Sequence, residues 1–251
     1  MRRSVPLDGD DWEVRGFLGL DAALAAAKRN DTADRRGWLR ARVPGSVLDD
    51  VWRAGEIPDP YVDRNSLLAE WVPERAWLYR RRIRAMDGAL AARVVLRFGG
   101  VDYAGDVFID GVPLARHEGM FTPFDVDVTE PLRDGGEHVV AVVVEPAPAS
   151  EPQMGRTSRV RVHKSRMTYG WDFSPRMIHQ GIWRPVSLEV FDVARIEAFE
   201  ARTAIAGTLD RGTVDVHVRL ARARRTPLRV VATVDHGATE VSRVAVEVGA
   251  D

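Results

Sequence analysis

Residues 105–128 read GDVFIDGVPLARHEGMFTPFDVDV. Asp110-Gly111 stands between the apolar stretches FI and VPL, and this dipeptide favours a two-residue hairpin turn because both residues accept positive φ. Further on, PFDVDV (123–128) alternates polar with apolar residues, the period of a strand with one face in water and one in a core. The same period recurs on both sides, in WLYRRRI (77–83), ARVVLRF (92–98), HVVAVVVE (138–145), RVRVHK (159–164) and PVSLEVFD (185–192), while Asp134-Gly135-Gly136 supplies another turn. Many short strands between turns, with no alternation of strand and helix, predict a jelly-roll β-sandwich and exclude a Rossmann fold or a complete barrel.

Two helices are predicted near the start. Asp21 is placed as the N-cap of AALAAAKR (22–29), with Asn30 as the stop and two basic residues in the last turn. Ser46 opens VLDDVWRA (47–54) with Asp49 three residues on, in a capping-box arrangement, and Gly55, Pro58 and Pro60 close it. Val47, Leu48, Val51 and Trp52 share one face, so this helix should lie flat on something apolar. A second strand series begins near Ala194: RIEAFEARTAI (195–205), GTVDVHVRL (212–220), PLRVVATVD (227–235) and EVSRVAVEV (240–248), with ARARR (221–225) separating two of them. Four strands fall short of the roughly seven of an immunoglobulin-like sandwich. A jelly roll over 1–193 and a partial sandwich over 194–251 are therefore expected, and the end at Asp251 reads as a cut through a domain that continues.

The 251 residues are 45% hydrophobic and 29% charged, an ordinary globular composition. Lysine and arginine number 36 against 37 acidic residues, a net charge of −1, so nothing favours a phosphate backbone or an anionic membrane. The longest clean apolar run, Val139 to Val144, is far short of a bilayer span, and MRRSVPLDGDDW has no apolar run of the secretory kind. Cysteine is absent, which excludes disulfides, thiolate metal sites and a thiol nucleophile, and suits a cytoplasmic location. Only Lys28 and Lys164 are lysines; the other cations are arginine, a bias that matches a GC-rich genome.

Residues 165–185, SRMTYGWDFSPRMIHQGIWRP, interrupt the strands with a segment too long for a turn, carrying Tyr169, Trp171, Phe173 and Trp183. Long loops on a rigid β scaffold are where binding sites are built. Trp171 beside Asp172 suits a sugar, since an indole covers the C–H face of a pyranose and a carboxylate accepts from vicinal hydroxyls. The same residues suit plain packing, with both tryptophans seating the loop and Asp172 capping a turn. Residue types alone weigh toward packing, and Trp183 in GIWRP reads as structural. Other chemistry is not spelled out. Histidines 117, 138, 163, 179, 217 and 236 show neither HxH nor HxxxH spacing, so no zinc site is expected. Nucleophile-elbow, P-loop and dinucleotide motifs are absent, and Gly99-Gly100 leads from strand to strand as a bend. Asp106, Asp110, Asp125 and Asp127 read as strand decoration rather than calcium ligands. No cofactor or metal is expected.

Taken together, VPGSVLDDVWRAGEIPDPY (43–61), WVPERAWLYRRRI (71–83), DVFIDGVPLARHEGMFTPFDVDVT (106–129) and GWDFSPRMIHQGIWRPVSLEVF (170–191) resemble the N-terminal part of glycoside hydrolase family 2, in its β-mannosidase-like branch. The resemblance runs from about Trp38 to Phe191 and is weaker beyond; IPDPY, WLYRR and GWDFSP point to the branch. It implies a galactose-binding-domain-like jelly roll, an immunoglobulin-like domain, and then a TIM barrel. It also implies a retaining exo-glycosidase whose two catalytic carboxylates, about 5 Å apart across the anomeric carbon, lie in that barrel. The family's acid/base glutamate follows an asparagine. Here Asn30 and Asn65 are followed by Asp31 and Ser66, so no catalytic residue is expected in this chain.

In the family, a Trp-Asp pair on the equivalent loop touches the terminal sugar. It matches Trp171 and Asp172, and with the resemblance included sugar contact outweighs packing for these two. The next positions depart, Phe173 and Ser174 standing where tryptophan and glycine are usual, which bears on the loop's shape and its preferred sugar. The expectation is an all-β chain, a jelly-roll β-sandwich with short N-terminal helices followed by a partial immunoglobulin-like β-sandwich. It would serve as the non-catalytic part of an enzyme acting on terminal β-linked sugars, mannosides first. Expected partners are carbohydrate, the catalytic barrel of its own longer chain and, through the partial sandwich, a second copy; nucleic acid and membrane are not. The alternative is a free-standing carbohydrate-binding module or a purely structural sandwich.

Overall fold

The period of two in the sequence becomes antiparallel ladders. The computed structural model describes residues 2–84, 93–149 and 161–250. In chain order it contains β1 (Arg2–Pro6), β2 (Gly9–Phe17), α1 (Leu20–Arg29), β3 (Leu39–Val43), α2 (Val47–Arg53), β4 (Ala76–Arg84), β5 (Arg93–Phe98), β6 (Ala104–Ile109), β7 (Val112–Glu118), β8 (Phe124–Asp127), β9 (Glu137–Val144), β10 (Val186–Phe191), β11 (Ala194–Ile205), β12 (Gly212–Arg222), β13 (Leu228–His236) and β14 (Thr239–Val248). Single 3₁₀ turns at Asn65–Ala69, Val72–Glu74 and Arg166–Tyr169 punctuate the connections.

Two sheets make the sandwich, a six-stranded one in the order β3-β2-β4-β9-β6-β7 and a four-stranded one in the order β1-β10-β5-β8. Across the six-stranded sheet the register aligns Val14, Tyr79, Val142 and Val107, all fully buried, on one face. Leu96, Phe98 and Leu188 are their buried counterparts on the four-stranded sheet. The opposite face of the larger sheet is covered as well. Ala23 and Ala27 of α1 pack on Leu78, Phe108, Ala141 and Val143, with Leu20, Leu24 and Trp38 at the edge. Covered on both faces, β9 buries every residue after Glu137, which is why HVVAVVVE is a continuous apolar run rather than an alternating one.

Local chemistry explains the punctuation. Asp110 (φ 49°) and Gly111 (φ 82°) form the expected hairpin turn, and a Cβ on Gly111 would lie 2.4 Å from the Lys28 carbonyl oxygen, so only glycine fits. Asn30 stops α1 in the left-handed conformation, as expected. The N-cap expected at Asp21 is not there. Helix α1 starts two residues earlier, at Leu20, with Gly19 as N-cap and no capping side chain, and Asp21 lies in the first turn, where it faces the positive end of the helix dipole. Ser46 does cap α2, its Oγ accepting from the Leu48 N–H at 3.2 Å. Val47, Leu48 and Val51 are buried beneath α2, and Trp52 is half-buried, edge-on to Tyr61.

Two differences concern strands. The strand expected over 159–164 does not form where the chain is described: residues 161–164 are irregular, and 159–160 lie outside the described residues. The alternation itself persists, with Arg161 and His163 exposed, Val162 half-buried and the Lys164 ammonium turned inward to the Asp102 carboxylate, but no ladder partner joins it among the described residues. Strands β1, β2 and β3 were not expected, because RRSVP, GDDWEVRGF and LRARV carry too many charges for a clean alternation.

Among the described residues, one compact unit takes in 4–84, 94–149 and 161–189. The other takes in 190–250 with residues 2, 3 and 93. In the second, β11 pairs with β12 and β13 with β14, both antiparallel. Valines 214, 216, 218, 230, 234, 241, 244 and 246 line an open trough of about 410 Å³ between these hairpins. Val241, Val244 and Val246 are each more than half exposed.

Candidate functional site

The segment 165–185 hangs from two fixed legs. On the return leg, Ile178, Gln180 and Ile182 are buried, and backbone bonds run from Val47 N–H to the Gln180 carbonyl (2.9 Å) and from Gly45 N–H to the Ile182 carbonyl (3.0 Å). The Gln180 amide donates to the carbonyls of Arg75 (3.2 Å) and Glu145 (2.7 Å). Asp102 and Gly181 exchange both backbone bonds, at 2.8 and 3.0 Å. Glycine is obligatory at 181, where φ is +133° and a Cβ would lie 2.5 Å from the Tyr79 hydroxyl. On the outgoing leg, Lys164 Nζ donates to both oxygens of Asp102 and to the His179 carbonyl at 2.6 Å.

Burial pushes the Asp102 carboxyl up and the Lys164 ammonium down, and the attraction between the two opposes each shift. His179 is held low by its burial and by the Lys164 charge, and its Nδ1 lies 3.3 Å from Ser46 Oγ, the cap of α2.

Beyond the legs the loop tightens into a small hairpin. Trp171 N–H donates to the Ser174 carbonyl (2.9 Å) and Ser174 N–H donates back to the Trp171 carbonyl (3.2 Å), which leaves Asp172 and Phe173 in the turn. Met177 N–H on the Thr168 carbonyl (2.8 Å) and the Tyr169 hydroxyl on the Pro148 carbonyl (2.9 Å) steady the base. Arg176 reaches Glu70 at 3.5 Å. At the tip Phe173 is 71% exposed, Asp172 is exposed and Trp171 half-buried, with the two rings 6.4 Å apart and inclined by 56°. Among the described residues neither the Asp172 carboxylate nor the Trp171 indole N–H has a hydrogen-bond partner.

The two residues singled out in the sequence thus stand together at one turn, and Asp172 caps nothing. Trp183 is different. Its indole N–H donates to the Met120 carbonyl at 2.8 Å and its ring meets Phe121 edge-on, which ties it into the scaffold. What the sequence did not disclose is the support of the loop by Lys164 and Asp102, or the outward placement of Phe173. The one available signal for the former was a lone lysine inside an arginine-rich stretch.

A charged cleft of about 540 Å³ borders Glu13, Arg80, Arg81 and Arg82, whose charges are already paired in Arg80–Glu13 (2.8 Å), Arg81–Asp11 (3.1 Å) and Arg82–Glu137 (2.5 Å). Among the described residues no three His, Cys, Asp or Glu side chains are arranged to hold a metal ion, and no helix is long and apolar enough to cross a membrane.

The family described as "Glycosyl hydrolase 2 galactose-binding domain-like" matches residues 24–184. "Beta-mannosidase B" of Thermothelomyces thermophilus is 31% identical over 224 residues, 84% of this chain and 24% of that protein. The protein of the same name from Aspergillus niger is 32% identical over 178 residues, 65% of this chain and 21% of that protein. The chain thus spans about a quarter of the length of the curated relatives it matches. Among solved structures, a β-D-mannosidase from Dictyoglomus thermophilum superposes with a TM-score of 0.73 at 21% identity, over 98% of this chain and 29% of that one. A β-glucuronidase from an uncultured Clostridium sp. gives 0.65 at 22% identity, over 100% and 40%. The match to the family covers the jelly roll from α1 to the end of the aromatic loop, and the chain belongs to glycoside hydrolase family 2 as an N-terminal part of its β-mannosidase-like branch.

Proposed function

We propose that this chain provides the sugar-recognition edge of a retaining exo-glycosidase that hydrolyses terminal β-mannosides. Trp171 and Asp172 contact the terminal sugar in a pocket completed by a catalytic barrel of the same longer protein. The observation that carries the proposal is the unbonded Asp172 carboxylate, exposed at the tip of a stapled hairpin and next in the chain to the half-buried Trp171. A carboxylate so placed is free to accept two sugar hydroxyls while the ring covers the C–H face.

In the longer protein, Asp172→Ala removes a charged hydrogen bond made in a water-poor pocket, a contribution of about 1.5–3 kcal/mol. The expected loss in kcat/KM on an aryl β-mannoside is about ten- to hundred-and-fifty-fold with the fold intact. A value within about twofold of the unsubstituted protein would make the loop structural. The domain boundary near 193, a cytoplasmic location suited to a chain without cysteine, and pairing of two copies through the valine trough belong to the same proposal.

A further inference from the structure

We infer that Lys164 is the positioning residue of the sugar-contacting tip: by bonding both oxygens of Asp102 and the His179 carbonyl, its ammonium ties the two legs of the loop to one buried anion. The inference rests on the sugar reading of Trp171 and Asp172 and deepens it, since it says what holds them in place.

The side chains of Lys164 and Asp102 are each 1% exposed, so neither charge is there for solubility. An ammonium has three donors, and here all three are used: two on one carboxylate and one on a carbonyl fifteen residues further along. Those bonds join the residue just before the loop to the leg just after it. Asp102 in turn is bonded through its backbone to Gly181. The tip therefore inherits its place from a closed ring of contacts, Lys164 to Asp102 to Gly181 and back through His179.

The choice of residue points the same way. Only two of the 36 lysines and arginines are lysine, and the other, Lys28, is exposed at the end of α1. A planar guanidinium spreads its five donors in a wide, rigid fork, whereas a compact ammonium directs all of its donors from a single atom, so the two do not hold the same geometry. Stability alone does not account for the pair. Buried ion pairs commonly contribute no more than apolar residues of the same volume, because desolvation offsets their attraction. What the pair supplies is a fixed geometry.

The test is made in the longer protein. Lys164→Met with Asp102→Asn removes both charges together, so that neither is left buried and unpaired. The double variant is expected to keep its circular dichroism spectrum, while the amides of Trp171, Ser174 and Met177 exchange about tenfold faster or more and kcat/KM on an aryl β-mannoside falls by about tenfold. Adding Asp172→Ala to it should lower kcat/KM by about tenfold less than Asp172→Ala does in the unsubstituted protein, since both changes act through one carboxylate. Lys164→Arg, which keeps the charge but not the shape, should resemble the double variant.

Losses that multiply instead, or an activity within about twofold of the parent while Asp172→Ala is impaired, would overturn the positioning role and leave the sugar reading standing. Full activity of Asp172→Ala would remove the sugar reading itself, whatever Lys164 does. Should the double variant fail to fold, Asp102→Glu, which keeps both charges and moves the anion by one methylene, carries the same non-additivity test.

Discussion

Asp50 is the residue whose chemistry its sequence position conceals. It sits in α2 among apolar neighbours at 1% exposure; its Oδ1 accepts from Arg42 N–H at 3.0 Å, and its Oδ2 has no partner. Burial pushes its carboxyl up to about 7, against the lowering effect of the Arg42 bond. His138 lies at the opposite extreme of satisfaction, with Nδ1 on Asp110 at 2.6 Å and Nε2 on Asp134 at 2.8 Å. Its burial pulls the imidazole down, yet the two carboxylates outweigh that and its pKa is raised. Both groups bind their proton more tightly folded than unfolded. Their contributions are therefore complete below the unfolded values and are lost as pH rises through the folded ones, about 7 for Asp50 and above 6.5 for His138. In a His179→Gln background, which removes the opposing titration of that buried imidazole, the urea midpoint should be higher at pH 5 than at pH 8. Asp50→Asn and His138→Gln should each flatten that difference, and a profile unchanged in both would refute the assignment.

At the scale of elements, turns were the most legible feature and charged strands the least. The Asp110-Gly111 hairpin could be read from two letters because left-handed backbone has few occupants. Gly111→Ala, strained in φ and driven against the Lys28 carbonyl, should cost about 1–3 kcal/mol in urea titration. A cost below about 0.5 kcal/mol would mean that the turn relaxes freely. Strands β4 to β6, β9 and β10 were equally plain, since each sets apolar residues toward a buried face. Strand β2 was not. Glu13 and Arg15 face outward, where Glu13 meets Arg80 and Arg15 meets Asp34, so the strand's polar face is stabilised by partners remote in sequence. The same limit applies to the site. Residue types marked Trp171 and Asp172, but their exposure depends on a backbone pairing to Ser174 that no periodicity announces. Lys164 meets Asp102 across 62 residues, a separation that leaves no local trace.

For the whole molecule, the exposed valines that line the trough between the two C-terminal hairpins bear on behaviour in solution. Apolar surface of this kind recruits cover, so the isolated 251-residue chain should self-associate with rising concentration in light scattering. Val244→Lys, a charge placed on the trough, should return it to monomer; a strict monomer before substitution would contradict this. The apolar strand β9 has a consequence of another kind. Folded, its seven residues from His138 to Val144 lie between α1 and the opposite sheet, out of reach. Once heat strips that cover away, HVVAVVV is a β-branched run without proline or a carboxylate, the composition of an amyloid spine. Thermal melting should therefore be a one-way process: the cooled sample stays turbid, the apparent midpoint moves with scan rate, and the deposit binds thioflavin.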